Sequence, residues 1–152
     1  MENLYLKYGK KKDCNGCGGC IYVCPVHAIS MVEDEEGFLY PKINEEKCIN
    51  CKKCEKYCSN FNNNHSKKIA YRGINQNKDD LKVSSSGGIF LILARKVIEN
   101  NGVVFGVKYD EKLNVIHGYA ESIEDVKKFC GSKYVRSNLG NSYENVKKFL
   151  DQ

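Results

Sequence analysis

The chain has no apolar run near the roughly eighteen residues that a membrane helix needs, so no membrane span is expected. Its opening stretch, Met1 to Lys12, also lacks an apolar segment and carries Lys7, Lys10, Lys11 and Lys12. That excludes a signal peptide and makes a reducing cytoplasm the expected location. Histidine is scarce: His27, His65 and His117 stand without base-and-nucleophile company and read as structural or surface residues. Basic residues are scattered and form no stripe, which argues against nucleic-acid binding. The first sixty residues are poor in aliphatic side chains. A module that small and lean cannot be secured by burial alone, so covalent or metal staples are expected.

Cysteine is what the chain has in excess, with nine. Eight fall into one pattern used twice: Cys14, Cys17, Cys20, Cys24, then Cys48, Cys51, Cys54, Cys58. Each quartet reads C-x-x-C-x-x-C-x-x-x-C, and Pro25 follows the first. This is the bacterial-type spacing for two cubane [4Fe–4S] clusters, in which three thiolates of one tight loop reach three corners of a cube. In two-cluster ferredoxins the fourth cysteine crosses to the other cube. One cube then takes Cys14, Cys17, Cys20 and Cys58, and the other takes Cys48, Cys51, Cys54 and Cys24. Zinc is the rival, but zinc sites use C-x-x-C pairs split by a longer loop, or Cys and His together. A disulfide framework gives no reason for the duplicated spacing. Ser59 stands where a second proline is expected, a change at a packing residue and not at a ligand. Cys130 has no place in two complete quartets and reads as a small buried hydrophobe.

The formal charge of +5 is unevenly placed. Residues 1–60 carry nine Lys against nine acids, and residues 61–152 carry fifteen Lys plus Arg against ten. Two oxidised cubes with their thiolates bring the first region to about −4. Gly16, Gly18 and Gly19 leave the first cube uncrowded and let backbone N–H groups face its sulfurs, whereas Lys52 and Lys53 replace glycines at the second.

The order of elements predicts an α+β fold: a ferredoxin-type domain over 1–60, an Asn-rich linker over 61–68, and an α+β domain over 69–152. Residues 1–12 read as a tail or edge strand. In the first domain, 26–32 and 38–43 read as short strands around an acidic turn ending at Gly37. In the second, Ile69 to Ile74 reads as a strand, and Ile89 to Asn100 as a helix stopped by Asn101-Gly102. Val103 to Val107 and Val115 to Ala120 read as antiparallel strands. Ser122 caps a helix from Ile123 to Phe129, and Ser142 caps one from Tyr143 to Leu150. The last helix ends with nothing after it to pack upon, so the second domain is expected to be truncated.

Three strings in the second region carry a resemblance: Ser84-Ser85-Ser86-Gly87-Gly88-Ile89-Phe90, Gly102-Val103-Val104-Phe105-Gly106-Val107, and Gly131-Ser132-Lys133-Tyr134-Val135-Arg136-Ser137. With the cysteine module and Glu36-Gly37-Phe38-Leu39-Tyr40-Pro41 before them, the chain resembles the coenzyme F-420 hydrogenase/dehydrogenase beta-subunit family. The resemblance implies an iron–sulfur flavoprotein in which cubes pass single electrons and FAD or FMN gathers two for hydride exchange. It implies that this chain corresponds to the amino-terminal part of a longer polypeptide, with a redox partner protein or the missing carboxy-terminal half as its partner. Ser85, Ser86, Gly87 and Gly88 suit a loop that binds ligand oxygens ahead of a helix N-terminus. Gly131, Ser132 and Lys133 place a cation beside a phosphate or a reduced flavin. The alternative is a non-enzymatic ferredoxin-like carrier whose second domain docks a partner reductase.

Overall fold

The computed structural model describes Leu6, residues 10–61 and residues 69–152. The chain divides into two compact units, Met1–Lys67 and Lys68–Gln152. The division falls inside the predicted linker, whose residues 62–68, with His65, lie outside the described residues.

The first unit opens with a 3-10 turn, Lys11–Asp13, and the short helix α1, Gly19–Tyr22. Strands β1 (Ile29–Glu33) and β2 (Leu39–Ile43) pair antiparallel, with Ile29 opposite Ile43 and Glu33 opposite Leu39. Asp34 builds their turn, its carboxylate accepting from the backbone N–H groups of Glu36 at 3.0 Å and Phe38 at 2.8 Å. Lys11 pairs with that carboxylate and holds it below the usual range. A second short helix, α2 (Lys53–Lys56), follows. The buried centre is Leu6, Cys24, Ala28 and Ile29, against which cysteines of both quartets pack. That is a thin apolar core, with sulfur in the places where aliphatic side chains normally lie.

The second unit holds α3 (Lys78–Lys82), α4 (Ile89–Glu99), β3 (Val104–Tyr109), β4 (Val115–Ala120), α5 (Ile123–Lys127) and α6 (Ser142–Leu150). β3 and β4 form an antiparallel ribbon, and Leu91 and Ala94 of α4 meet Ala120, Val126 and Phe129 in its core. Gly106 is required there, because a Cβ would stand 2.5 Å from Phe129 Cγ. Phe149 meets Phe105 and Tyr119 edge-on, with centroids 6.1 and 5.0 Å away. The fold class is α+β.

Three local expectations change. Ile69 to Ile74 is not a strand; Ile69, Tyr71 and Ile74 are exposed, and a β-rich composition finds no partner edge there. Ser142 lies inside α6 and not at its cap, its hydroxyl turned back onto the Leu139 carbonyl at 2.6 Å. The helix after Ser122 stops at Lys127, although Ser122 does cap it, accepting from Asp125 N–H at 3.2 Å. α3 was not foreseen; Asn77 caps it by accepting from the N–H groups of Asp79 and Asp80.

Candidate functional site

The two cysteine loops share a backbone conformation that their sequences do not share. Gly16 and Gly18 lie in the left-handed region at φ 63° and 72°. Asn50 and Lys52, each 34 residues later, lie there too, at φ 53° and 57°. A side chain in that region costs roughly 1–2 kcal/mol, which glycine avoids. The repeated turn bends each loop inward between its cysteines and starts a one-turn helix directly after residue 18 or 52.

Backbone N–H groups face sulfur from Gly16 N to Cys14 Sγ and from Ala28 N to Cys24 Sγ, both 3.3 Å. The Asn60 side chain donates to the Asp13 carbonyl, so the end of the second loop is tied to the start of the first. Cys24, Cys48, Cys51 and Cys54 border one cavity backed by Ile29 and Ile43. The fourth cysteine of the first quartet thus sits with the first three of the second. Burial, together with the nearby Cys17 and Cys14, pushes the Cys20 thiol up to about 12. Burial raises Cys54 as well, with Glu55 adding to it. Thiols so placed stay protonated by themselves, and iron would have to supply the charge that keeps them as thiolates.

The donors fit a cube better than a single ion. Among the described residues no three His, Cys, Asp or Glu side chains converge on one ion position. A cube offers four separate iron corners, so its thiolates stand farther apart than donors around one metal. The cavity is bordered by four cysteines with no histidine or carboxylate on its wall, a donor set of the kind that holds an iron–sulfur cube.

A second cavity, of about 240 Å³, lies in the other unit. Ser85, Ser86 and Gly88 border it from one side, and Gly131 and Ser132 from the other, with Phe90, Phe129 and Cys130 between. Two further residues singled out from the sequence are placed elsewhere. Gly87 supports the loop from behind: its carbonyl accepts from Asn75 N–H at 2.7 Å, and a Cβ on it would meet the Gly73 carbonyl at 2.5 Å. Lys133 does not border the cavity; its ammonium donates to the carbonyls of Lys128, Phe129 and Cys130 at 3.3, 3.1 and 2.7 Å, closing the end of α5.

The loop is held by a buried polar group that sequence reasoning missed. Asn75 Nδ2 donates to Asp80 Oδ2 at 3.1 Å and to the Gly88 carbonyl at 3.3 Å. Arg95 reaches both Asp80 oxygens at 3.1 and 3.2 Å, and Ser84 donates to the Asp80 carbonyl at 2.7 Å. The Asn77-x-x-Asp80 spacing was the available signal. Cys130 is half-buried on the cavity wall, its thiol raised by burial, with Lys133 pulling the other way. His117 bonds Ser137 at 2.9 Å, and His27 is exposed.

Comparison with known proteins bears on the first unit. Residues 13–61 match the 4Fe-4S dicluster domain family. The chain is also similar to an uncharacterized polyferredoxin-like protein of Methanocaldococcus jannaschii, 41% identical over 56 residues. That match covers 32% of this chain and 33% of the relative, so the chain spans about a third of the length of the curated relative it matches. Residues 13–61 therefore form a ferredoxin-type 4Fe-4S dicluster module, the kind of module that serves iron–sulfur electron transfer. Among the described residues no helix is long and apolar enough to cross a membrane.

Proposed function

We infer that Cys14, Cys17, Cys20 and Cys58 hold one [4Fe–4S] cube, that Cys48, Cys51, Cys54 and Cys24 hold the other, and that the pair relays electrons for a flavin-dependent, deazaflavin-type oxidoreductase. Each cube, when bound, takes up and gives back one electron at a time. The observation that carries the cluster assignment is Cys24 at the cavity of the second triplet. Ile29 and Ile43 behind that cavity limit water, and the N–H of Ala28 offsets charge on the Cys24 sulfur.

The flavin reading has separate support. Loops far apart in sequence, Ser84–Ser86 with Gly88 and Gly131–Ser132, border one cavity carrying hydroxyls and two aromatic rings. Its volume is below the usual ~300–1,000 Å³ of complete ligand pockets, so it suits one portion of FAD or FMN. Anaerobic purification should yield iron and acid-labile sulfide for two cubes and coupled paramagnetic signals on reduction. Zinc without labile sulfide would overturn the cluster assignment. Added FMN or FAD should be retained on gel filtration and lost in a Gly88→Val variant; no retention by the parent chain overturns the flavin reading.

A carrier without flavin is the second reading. It is favoured by the family match over residues 13–61 and by the polyferredoxin-like name of the similar protein. There the second unit would serve to dock a partner reductase.

A further inference from the structure

Among the described residues Lys52 is the one left-handed, non-glycine residue that borders the cavity of Cys24, Cys48, Cys51 and Cys54. Its counterpart 34 residues earlier, Gly18, has the same backbone shape, φ 72° against 57°. The backbone itself therefore does not call for lysine at this position. Glycine would adopt the turn without the cost that any side chain incurs there. What lysine adds is a positive charge at the border of this cavity, where the matching position of the first loop carries none.

We propose that Lys52 makes the two clusters unequal, stabilising the reduced form of the one held by Cys24, Cys48, Cys51 and Cys54. The proposal rests on the cluster assignment above. Adding an electron makes a thiolate-bound cube more negative, so a nearby ammonium favours the reduced state. An electron shared between the two sites then resides mainly at the second, and the module has a built-in direction. No bond forms or breaks and no proton is required; one site is oxidised as the other is reduced. Lys52 is exposed, so water and salt weaken its field. A charge at cluster distance across such a boundary is worth about threefold to tenfold in the reduction equilibrium, or about 30–60 mV for one electron.

The test is a redox titration of the anaerobic, cluster-loaded full chain, followed by electron paramagnetic resonance, which reads two midpoint potentials. Lys52→Gln, which keeps the side-chain bulk and the strained turn, should lower the higher midpoint by that amount and leave the lower one in place. Lys52→Arg should change neither. The reciprocal Gly18→Lys should raise the lower midpoint, and space exists for it, since a Cβ on Gly18 meets nothing within 4 Å. Should Lys52→Gln lose iron, Gly18→Lys still decides the matter. Unchanged midpoints in Lys52→Gln, or no rise in Gly18→Lys, overturn the proposal. So does an equal shift from Lys53→Gln, which alters an exposed lysine that does not border the cavity. A parent chain without iron and labile sulfide would instead remove the cluster assignment, a different and separately visible failure.

Discussion

The side-chain amide of Asn60 donates to the backbone carbonyl of Asp13, 47 residues earlier, and so joins the end of the second cysteine loop to the start of the first. Two loops that are repeats of one another in sequence thereby become halves of one object. Cys24 belongs to the buried core, and Cys14 and Cys20 of one loop and Cys48, Cys54 and Cys58 of the other all pack against it.

The proposed exchange of fourth cysteines predicts how paired losses combine. Cys24→Ala with Cys51→Ala should cost no more iron than either change alone, about half the total, because both residues serve one cube. Cys24→Ala with Cys17→Ala should remove nearly all of it. Iron and sulfide analysis reads the outcome, and the opposite pattern would mean that each quartet serves its own cube.

Acid and alkali should act oppositely on loaded and empty protein. In the empty module the Cys20 thiol is raised from 9.0 to about 12, so the folded form prefers it neutral. That preference is fully present below about 9, the unfolded value, and is lost as pH rises toward 12. The empty module should therefore weaken in alkali. The loaded module holds thiolates, so acid competes with iron and strips the clusters. Circular dichroism of empty protein and the visible absorbance of loaded protein, each followed against pH, check the two signs.

Gly106→Ala should destabilise the second unit by about 1–3 kcal/mol, because its Cβ overlaps the buried Phe129 ring and something must move. Denaturant unfolding measures the loss, and iron content should not change.

Asp80→Ala should remove the Arg95 acceptor and one of the two acceptors of the Asn75 amide, at a cost of about 1–3 kcal/mol. The Ser84–Gly88 loop should loosen with it, seen as faster hydrogen exchange at Gly88 and Ile89. Unaltered exchange there would mean that the network does not hold the loop.

Lys133→Met separates two roles for one ammonium. If it closes α5, stability falls by about 0.3–1 kcal/mol and flavin retention is untouched. A selective loss of flavin would return Lys133 to the cavity.

Much of the first unit was legible because metal ligation leaves a rigid mark on spacing: a cube needs its thiolates at set separations along a tight loop. The β1–β2 hairpin was equally plain, with two short strand-like runs around an acidic turn that ends at Gly37. Ile69 to Ile74 misled because strand-forming composition says nothing about whether an edge is available. Lys133 misled because its charge was visible in the sequence, whereas the open carbonyls of α5 were not.

The sequence by itself determined that this protein carries paired sulfur loops and an α+β companion, since both follow from local spacing and periodicity. Only the tertiary structure decided that Asn75, Asp80 and Arg95 brace the serine loop, and that Lys52 repeats the turn of Gly18. Those relations depend on residues brought together across long stretches of chain, or on backbone angles, and neither is written in the order of amino acids.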